Sequence, residues 1–229
     1  GKTNVTYANS LDSELWSDDT KTKFRPFLHH FDDSEENRSN QEKMTDFDFD
    51  AVLTNPPFAG EIKGILLNKY DLGFKWDKNF EKTQNHQNKV DRDVLFIERN
   101  LNFLRPGGCM AIVLPQGIFN NTNAEYIRRF IFTKAKILAV VGLHGNTFKP
   151  HTGTKTSVLF LQKWGGEAGE SQEDYPIFMA VSKKGGKDNS GDYVYKKDKD
   201  GAVQYDASGR KVVDHDLDEI AEEFWKSNK

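Results

Sequence analysis

Apolar positions are sparse at the start of this 229-residue chain and become regular only after residue 47. "NVTYANSL" (4–11) alternates weakly and predicts a short strand. Residues 12–46 are polar and charged, and "DDSEENRSNQEK" within them has the composition of a disordered segment. Phe49 to Leu53 predicts a buried strand that runs straight into Asn55-Pro56-Pro57-Phe58. Residues 59–89 are rich in Lys, Asn and Gln with scattered aromatics, and predict a long, partly mobile loop. In "VDRDVLFIERNLNFL", Val94, Ile97, Leu101 and Leu104 recur at helical spacing. That helix is expected to stop at Pro106-Gly107-Gly108. "CMAIVLP" is a continuous apolar run of strand length, expected to be buried on both faces. Thr122 with Glu125 suits a capping box, opening a helix that carries Ala124, Ile127 and Ile131. "KILAVVGL" and "TSVLFLQKW" predict two further strands. No internal repeat is evident.

The alternation of strand and helix over 47–164 is the pattern of an open α/β sheet. After Trp164 the character changes. "GGEAGESQED" reads as a linker and "YPIFMAV" as a strand. "GDYVYKKDKDGAVQYDASGRKVV" alternates between turn signals and predicts a hairpin. "DLDEIAEEFWKSNK" predicts an amphipathic helix with Leu217, Ile220 and Phe224 on one side. The expected division is 1–164, with a polar insertion at 12–46 and a long loop at 59–89, followed by an α+β extension at 165–229.

Composition narrows the class. At 36% hydrophobic and 29% charged, the chain suits one globular domain with a polar extension, or two small domains. Mean hydropathy is -0.73 and no apolar run approaches membrane-spanning length, so no membrane partner is expected. Gly1-Lys2-Thr3-Asn4 leads into no apolar segment of a signal peptide. The single cysteine, Cys109, excludes an internal disulfide framework and a cysteine-rich zinc site. Following Gly-Gly at a strand start, Cys109 is expected to be a small buried hydrophobe. A reducing cytoplasm is the simplest compartment. The histidines show no metal-ligand spacing. A net charge of -3 lacks the basic field of a free-standing nucleic-acid binder. Any DNA contact must come from local patches or a partner subunit.

Ligands of open parallel sheets bind beyond the carboxyl ends of the strands. The strand ending at Leu53 delivers Asn55 to Phe58 there. "CMAIVLP" delivers Pro115 to Asn120, and "KILAVVGL" delivers His144 to Phe148. An antiparallel last strand would start at the same edge with Thr154 to Thr156. Two adjacent prolines forbid helix and remove two backbone donors. The Asn55 side-chain carbonyl and the Pro56 backbone carbonyl are then two acceptors at fixed spacing, able to take both hydrogens of one exocyclic amine. Phe58 can lie flat against an aromatic base. The amino group of a paired base is inaccessible, so the base must leave the duplex. Lys149 and Lys155 stand on the same rim, where a phosphate role is plausible. Cys109 sits at the wrong end of its strand for the thiolate chemistry of cytosine-C5 methylation. Arg128 and Arg129 read as a solvated helix face.

At "NPPF" the sequence resembles S-adenosylmethionine-dependent amino-methyltransferases. "ERNLNFLRPGGCMAIVLPQGIFNN", "YIRRFI", "ILAVVGLHGNTFKPHTGTKTSVLFLQK" and "DLDEIAEEFW" extend the resemblance to the modification (M) subunit of type I restriction systems, which are N6-adenine DNA methylases. The resemblance implies a Rossmann-like class I methyltransferase sheet and S-adenosylmethionine as cofactor. DNA, a specificity (S) subunit and a restriction (R) subunit are the implied partners. It implies that Asn55, Pro56, Pro57 and Phe58 hold the target adenine, that Asn55 also meets the cofactor, and that Phe148 is a second aromatic against the flipped base. "YANSL" resembles the segment beside the cofactor's adenine ring, with Asn9 where the family has an acidic residue. The family's Gly-rich cofactor loop precedes that segment, and no G-x-G opens a helix here. The implied sheet is therefore incomplete, without its first strands and cofactor loop, and the chain alone is expected to be inactive. Two other readings stay open: methyl transfer to a protein glutamine or another amine, and a truncated subunit that only binds partners. Entry of labelled methyl into DNA or into protein separates them.

Overall fold

The apolar runs of the sequence become strands of one sheet in a computed structural model that describes residues 5–165 and 174–227. In chain order the elements are α1 (Asp18–Phe24), α2 (Ser34–Lys43), β1 (Phe49–Thr54), β2 (Glu61–Ile62), β3 (Phe74–Trp76), β4 (Lys82–His86), β5 (Val90–Asp91), α3 (Arg92–Phe103), β6 (Leu104–Pro115), α4 (Gly117–Asn120), α5 (Glu125–Lys134), β7 (Ala135–Gly142), β8 (Thr156–Lys163), β9 (Phe178–Val181) and α6 (Leu217–Ser227). The main sheet has the order β1-β6-β8-β7-β9. β1 runs parallel to β6 and β9 parallel to β7, while β8 is antiparallel to both of its neighbours. The fold is α/β, and β9, from the C-terminal part, extends the same sheet.

Alternation of side chains along a strand decides what is buried. Met110, Ile112 and Leu114 of β6 and Leu159 and Leu161 of β8 join Val94, Ile97 and Leu101 of α3 and Ile127, Phe130 and Ile131 of α5 in one core. Each such side chain contributes about 1.5–3 kcal/mol when fully removed from water. The opposite face of the sheet is more open. Ala51 pairs with Cys109 and Leu53 with Ala111, so these four side chains share that face. There Leu53 is 84% exposed and Cys109 is exposed.

This corrects three expectations. Cys109 is not buried, because α3 and α5 cover the Met110 face instead. "CMAIVLP" is not buried on both faces, since Ala111 and Val113 are only half-buried. β1 is an edge strand with Ala51 and Leu53 exposed, and not a fully buried one.

The polar stretch 12–46 is ordered around a second small core of Trp16, Met44 and Phe47. Helix α2, "SEENRSNQEK", lacks an apolar stripe and is held by polar groups. Asp33 accepts from the Glu35 and Glu36 amides at 2.9 Å each, a strong N-cap. Asn40, 3% exposed, accepts from Asp46 N and donates to the carbonyls of His29 and Asp46. The expected strand at 4–11 is not formed among the described residues 5–11; Asn9 Oδ1 instead accepts the Leu11 amide. The buried guanidinium of Arg99 donates to Ser10 O at 2.8 Å and Thr45 O at 2.7 Å, which ties this segment to α3. Of the expected linker at 165–174, residues 166–173 lie outside the described residues.

The capping box is replaced. Asn121 accepts the Asn123 amide in the turn before α5, and Glu125 pairs with Arg129. Arg128 is a structural tie, donating to Ile118 O and Asn121 O.

The C-terminal hairpin is a nested set of three turns, so the chain does contain a repeat. Asp188, Asp198 and Asp206 each turn Oδ1 onto the amides two and four residues ahead. Gly191, Gly201 and Gly209 supply the left-handed backbone at the same place in each turn, with φ of 96°, 85° and 75°. A closed ring of backbone bonds joins the three: Lys196 N to Val212 O, Val212 N to Gln204 O, and Gln204 N to Lys196 O. Only the Asp and the Gly of each turn repeat, which hides the pattern in the sequence.

Candidate active site

The sheet register brings the strand ends to one rim. Pro115 of β6 faces Thr156 of β8, and Gly142 of β7 faces Ser157. β1 ends beside them, with Thr54 opposite Ile112. Gln116 N donates to Lys155 O, and Leu143 N to Thr156 O, both at 2.9 Å. β8 is antiparallel and therefore starts at the rim where the parallel strands finish, the case the sequence left open.

Asn55 to Phe58 leave β1 at this rim. Pro56 is buried, Phe58 is half-buried, and Asn55 is exposed. Among the described residues, neither the Asn55 side chain nor the Pro56 carbonyl takes a hydrogen bond, so both acceptors are open. The chain then turns at Gly60, whose φ is 103°. Gly60 O accepts the Arg92 amide at 3.0 Å, and a Cβ on Gly60 would stand 3.0 Å from the Arg92 guanidinium. β2 pairs with β5 immediately before α3, and Lys89 bonds Glu61. Both ends of the segment 59–89 are thus fastened at the foot of α3. The segment itself holds the β3–β4 hairpin and two 3-10 turns, where a mobile loop was expected. Glu98 accepts the amides of Asp71 and Leu72 at 2.9 Å each. Burial pushes its carboxyl up to about 7, against the opposing pull of those two amides.

Phe58 and Phe148 come together. Their ring centroids lie 5.7 Å apart at 79°, edge to face. Phe58 also lines a cavity of about 490 Å³ with Asp93, Pro115, Asn121, Tyr126 and Thr154. A planar ligand of nucleobase size fits a cavity of this volume. Asp93 is 4% exposed. Burial first, then the charge of Asp91, pushes its carboxyl up to about 6. Sequence reasoning did not single out Asp93, Asn121 or Tyr126; they reach this cavity only through the packing of α3 against α5.

The remaining candidates are placed as follows. Lys149 is half-buried and Lys155 is exposed on the rim. The Lys149 carbonyl accepts Lys187 Nζ at 2.8 Å, which links the rim loop to the C-terminal turns. Asn9 is exposed. Its side chain is engaged by the Leu11 amide at 3.1 Å, and its carbonyl accepts Trp16 Nε1 at 2.7 Å. Among the described residues no group of His, Cys, Asp and Glu could hold a metal ion, and no helix is long and apolar enough to cross a membrane.

The model of a family described as N-6 DNA Methylase matches residues 22–203. The chain is 31% identical over 116 residues to the type I restriction enzyme EcoEI methylase subunit of Escherichia coli, covering 50% of this chain and 21% of that protein. It is 23% identical over 120 residues to the type II restriction enzyme and methyltransferase RM.Eco57I of Escherichia coli, covering 52% of this chain and 12% of the relative. The chain thus spans about a fifth or less of the length of these relatives. Among solved structures it is similar to the type I restriction-modification methyltransferase subunit from Streptococcus thermophilus, with a TM-score of 0.48 and 23% identity over 81% of this chain and 32% of that one.

Proposed function

The chain belongs to the N-6 DNA methylase family, and on that premise we propose that it supplies the amine-holding side of a site that methylates adenine N6 in DNA, with S-adenosylmethionine as donor. The observation that carries this reading is the Asn55–Phe58 corner, with two open acceptors and an aromatic ring touching Phe148 at the sheet rim. Asn55 Oδ1 and Pro56 O take the two amine hydrogens and leave the nitrogen lone pair directed outward. Phe58 stacks on the flipped base. Lys149 and Lys155 contact phosphate beside it. Such work is positioning, and no covalent intermediate on the protein is needed. The protein belongs, on this reading, to a cytoplasmic type I restriction-modification system with specificity and restriction subunits as partners.

The described residues fit the acceptor side of the transfer and not the donor side. Asn9, the residue expected against the donor's adenine, has its side-chain carbonyl engaged by the Leu11 amide. The chemistry derived from these residues therefore stops at binding and orienting the amine.

The test is incorporation of labelled methyl groups into adenine by the assembled methyltransferase that carries this segment. Asn55→Ala is expected to lower turnover by about 10²–10³-fold, the cost of losing a polar contact to the reacting group, with the melting temperature unchanged. Near-normal turnover in the variant, or label entering protein instead of DNA, overturns the reading.

A further inference from the structure

The three-turn unit after β9 sorts its side chains by face. Residues opposite each other in an antiparallel bridge point to the same side, as does every second residue along a strand. The bridges Lys187–Tyr193, Tyr195–Val213, Lys197–Val203 and Tyr205–Lys211 therefore put all eight side chains on one face. No carboxylate stands at any of these positions. The turn aspartates Asp188, Asp198 and Asp206 direct Oδ1 onto their own backbone amides. Asp214, on the opposite face, pairs with Lys184. Lys187 Nζ lies 5.4 Å from the Tyr193 ring centre and Lys211 Nζ 5.1 Å from that of Tyr195. Tyr193 and Tyr205 are each 59% exposed. The chain's net charge of -3 hides this local separation.

The same face is joined to the rim. Lys187 Nζ donates to Lys149 O at 2.8 Å, and Asn146 Nδ2 donates to Lys187 O at 3.2 Å and to Asn189 Oδ1 at 3.1 Å. Gly191 packs against Pro150 so closely that a Cβ would stand 2.6 Å from the proline nitrogen. The lysine and tyrosine face thus starts beside Phe148 and Lys149.

We propose that this face is a DNA-backbone contact surface that grips the duplex next to the flipped nucleotide. The proposal rests on DNA being the substrate. Lysines spaced between tyrosines suit phosphate and sugar, with no reading of base sequence. The three-turn ring holds them at fixed spacing, which lowers the ordering cost of binding.

The test is fluorescence anisotropy of a labelled mixed-sequence duplex with the full 229-residue chain across a salt series. Lys197→Gln with Lys211→Gln is expected to weaken binding and to reduce the slope of log K against log salt by about 2, roughly one per lysine. Tyr205→Ala is expected to weaken binding with the slope unchanged. Lys196→Gln, on the opposite face, is expected to bind as the unaltered chain does, which controls for a loss of charge alone. Equal effects of Lys196→Gln and the double variant, an unchanged double variant, or no binding of DNA by the unaltered chain each overturn the proposal. If Asn55→Ala abolishes adenine methylation while the double variant binds normally, only this surface is wrong. If the double variant loses binding while label never enters adenine, the surface stands and the methylase reading falls.

Discussion

Phe58 stands at the meeting point of the rim loop and the cavity, touching Phe148 and lining the same space as Asp93. A base stacked on an aromatic ring gains roughly 1–3 kcal/mol. Phe58→Ala is therefore expected to weaken binding of an extrahelical base by about one to two orders of magnitude, read from the fluorescence of 2-aminopurine at the target position. Equal signals from both proteins would count against stacking. Asp93 gives a second prediction at this scale. Its folded pKa is raised from 3.8 to about 6, so the folded state holds the proton more tightly than the unfolded one. The stability linked to that proton is fully present below about pH 4 and is lost as pH rises through about 6. Asp93→Asn should flatten that part of the pH dependence and leave the protein about 1–3 kcal/mol more stable at pH 7 than the unaltered chain. Urea denaturation at pH 4.5, 6 and 7.5 measures it; parallel curves for the two proteins would refute the assignment. The place of Asn55–Phe58 at the sheet rim was legible in sequence because two prolines after an apolar run end the strand there. Asp93 was not, because its burial depends on where α5 lies, and nothing near residue 93 encodes that. Cys109 was misread for the same reason: which face of β6 is covered is decided by α3 and α5.

At the scale of elements, strands and helices with strong periodicity were legible, while the antiparallel course of β8 was left open. Elements held by polar side chains were not legible. Asn40 and Arg99 tie residues 12–46 together beside the small core of Trp16, Met44 and Phe47, and a hydrophobic pattern cannot report them. The three Asp-x-x-Gly turns were missed because their repeat lies in backbone conformation and one carboxylate each. Strand β1 has a different consequence. Among the described residues it pairs on one side only, with β6, and Leu53 is 84% exposed on it. An apolar edge strand is a template for pairing with another chain. The 229-residue chain is expected to self-associate through β1, and Leu53→Lys should shift it toward monomer, because a charge on an edge strand opposes strand addition. Light scattering during size-exclusion chromatography follows the change. If Leu53→Lys leaves the mass distribution unaltered while Met179→Lys on β9 alters it, the associating edge is the opposite one.

For the whole molecule, the question is how much of a two-substrate site this chain holds. The rim to which the proposed reading gives the acceptor side is assembled from β1, β6, β7 and β8, and the rim loop continues into the three-turn unit through Lys187 and Asn146. The segment at 9–16 is tied into the fold by its own hydrogen bonds. Asn9 closes a turn onto Leu11, Trp16 Nε1 donates to Asn9 O, and Arg99 takes Ser10 O. A donor such as S-adenosylmethionine needs close backbone approach and an acidic residue for its ribose, and in this segment Asn9 stands in that place with its side-chain carbonyl accepting the Leu11 amide. The chain is therefore expected to bind duplex DNA measurably while showing no stoichiometric micromolar binding of S-adenosylmethionine. Isothermal titration of the donor into the 229-residue chain, with and without DNA, measures both halves of the statement. Asn9→Ala should lower stability by about 1 kcal/mol, the usual worth of one hydrogen bond, and leave the titration flat as before. Micromolar, stoichiometric donor binding by the chain, weakened by Asn9→Ala, would show that this segment binds cofactor after all and that the site is complete on both sides.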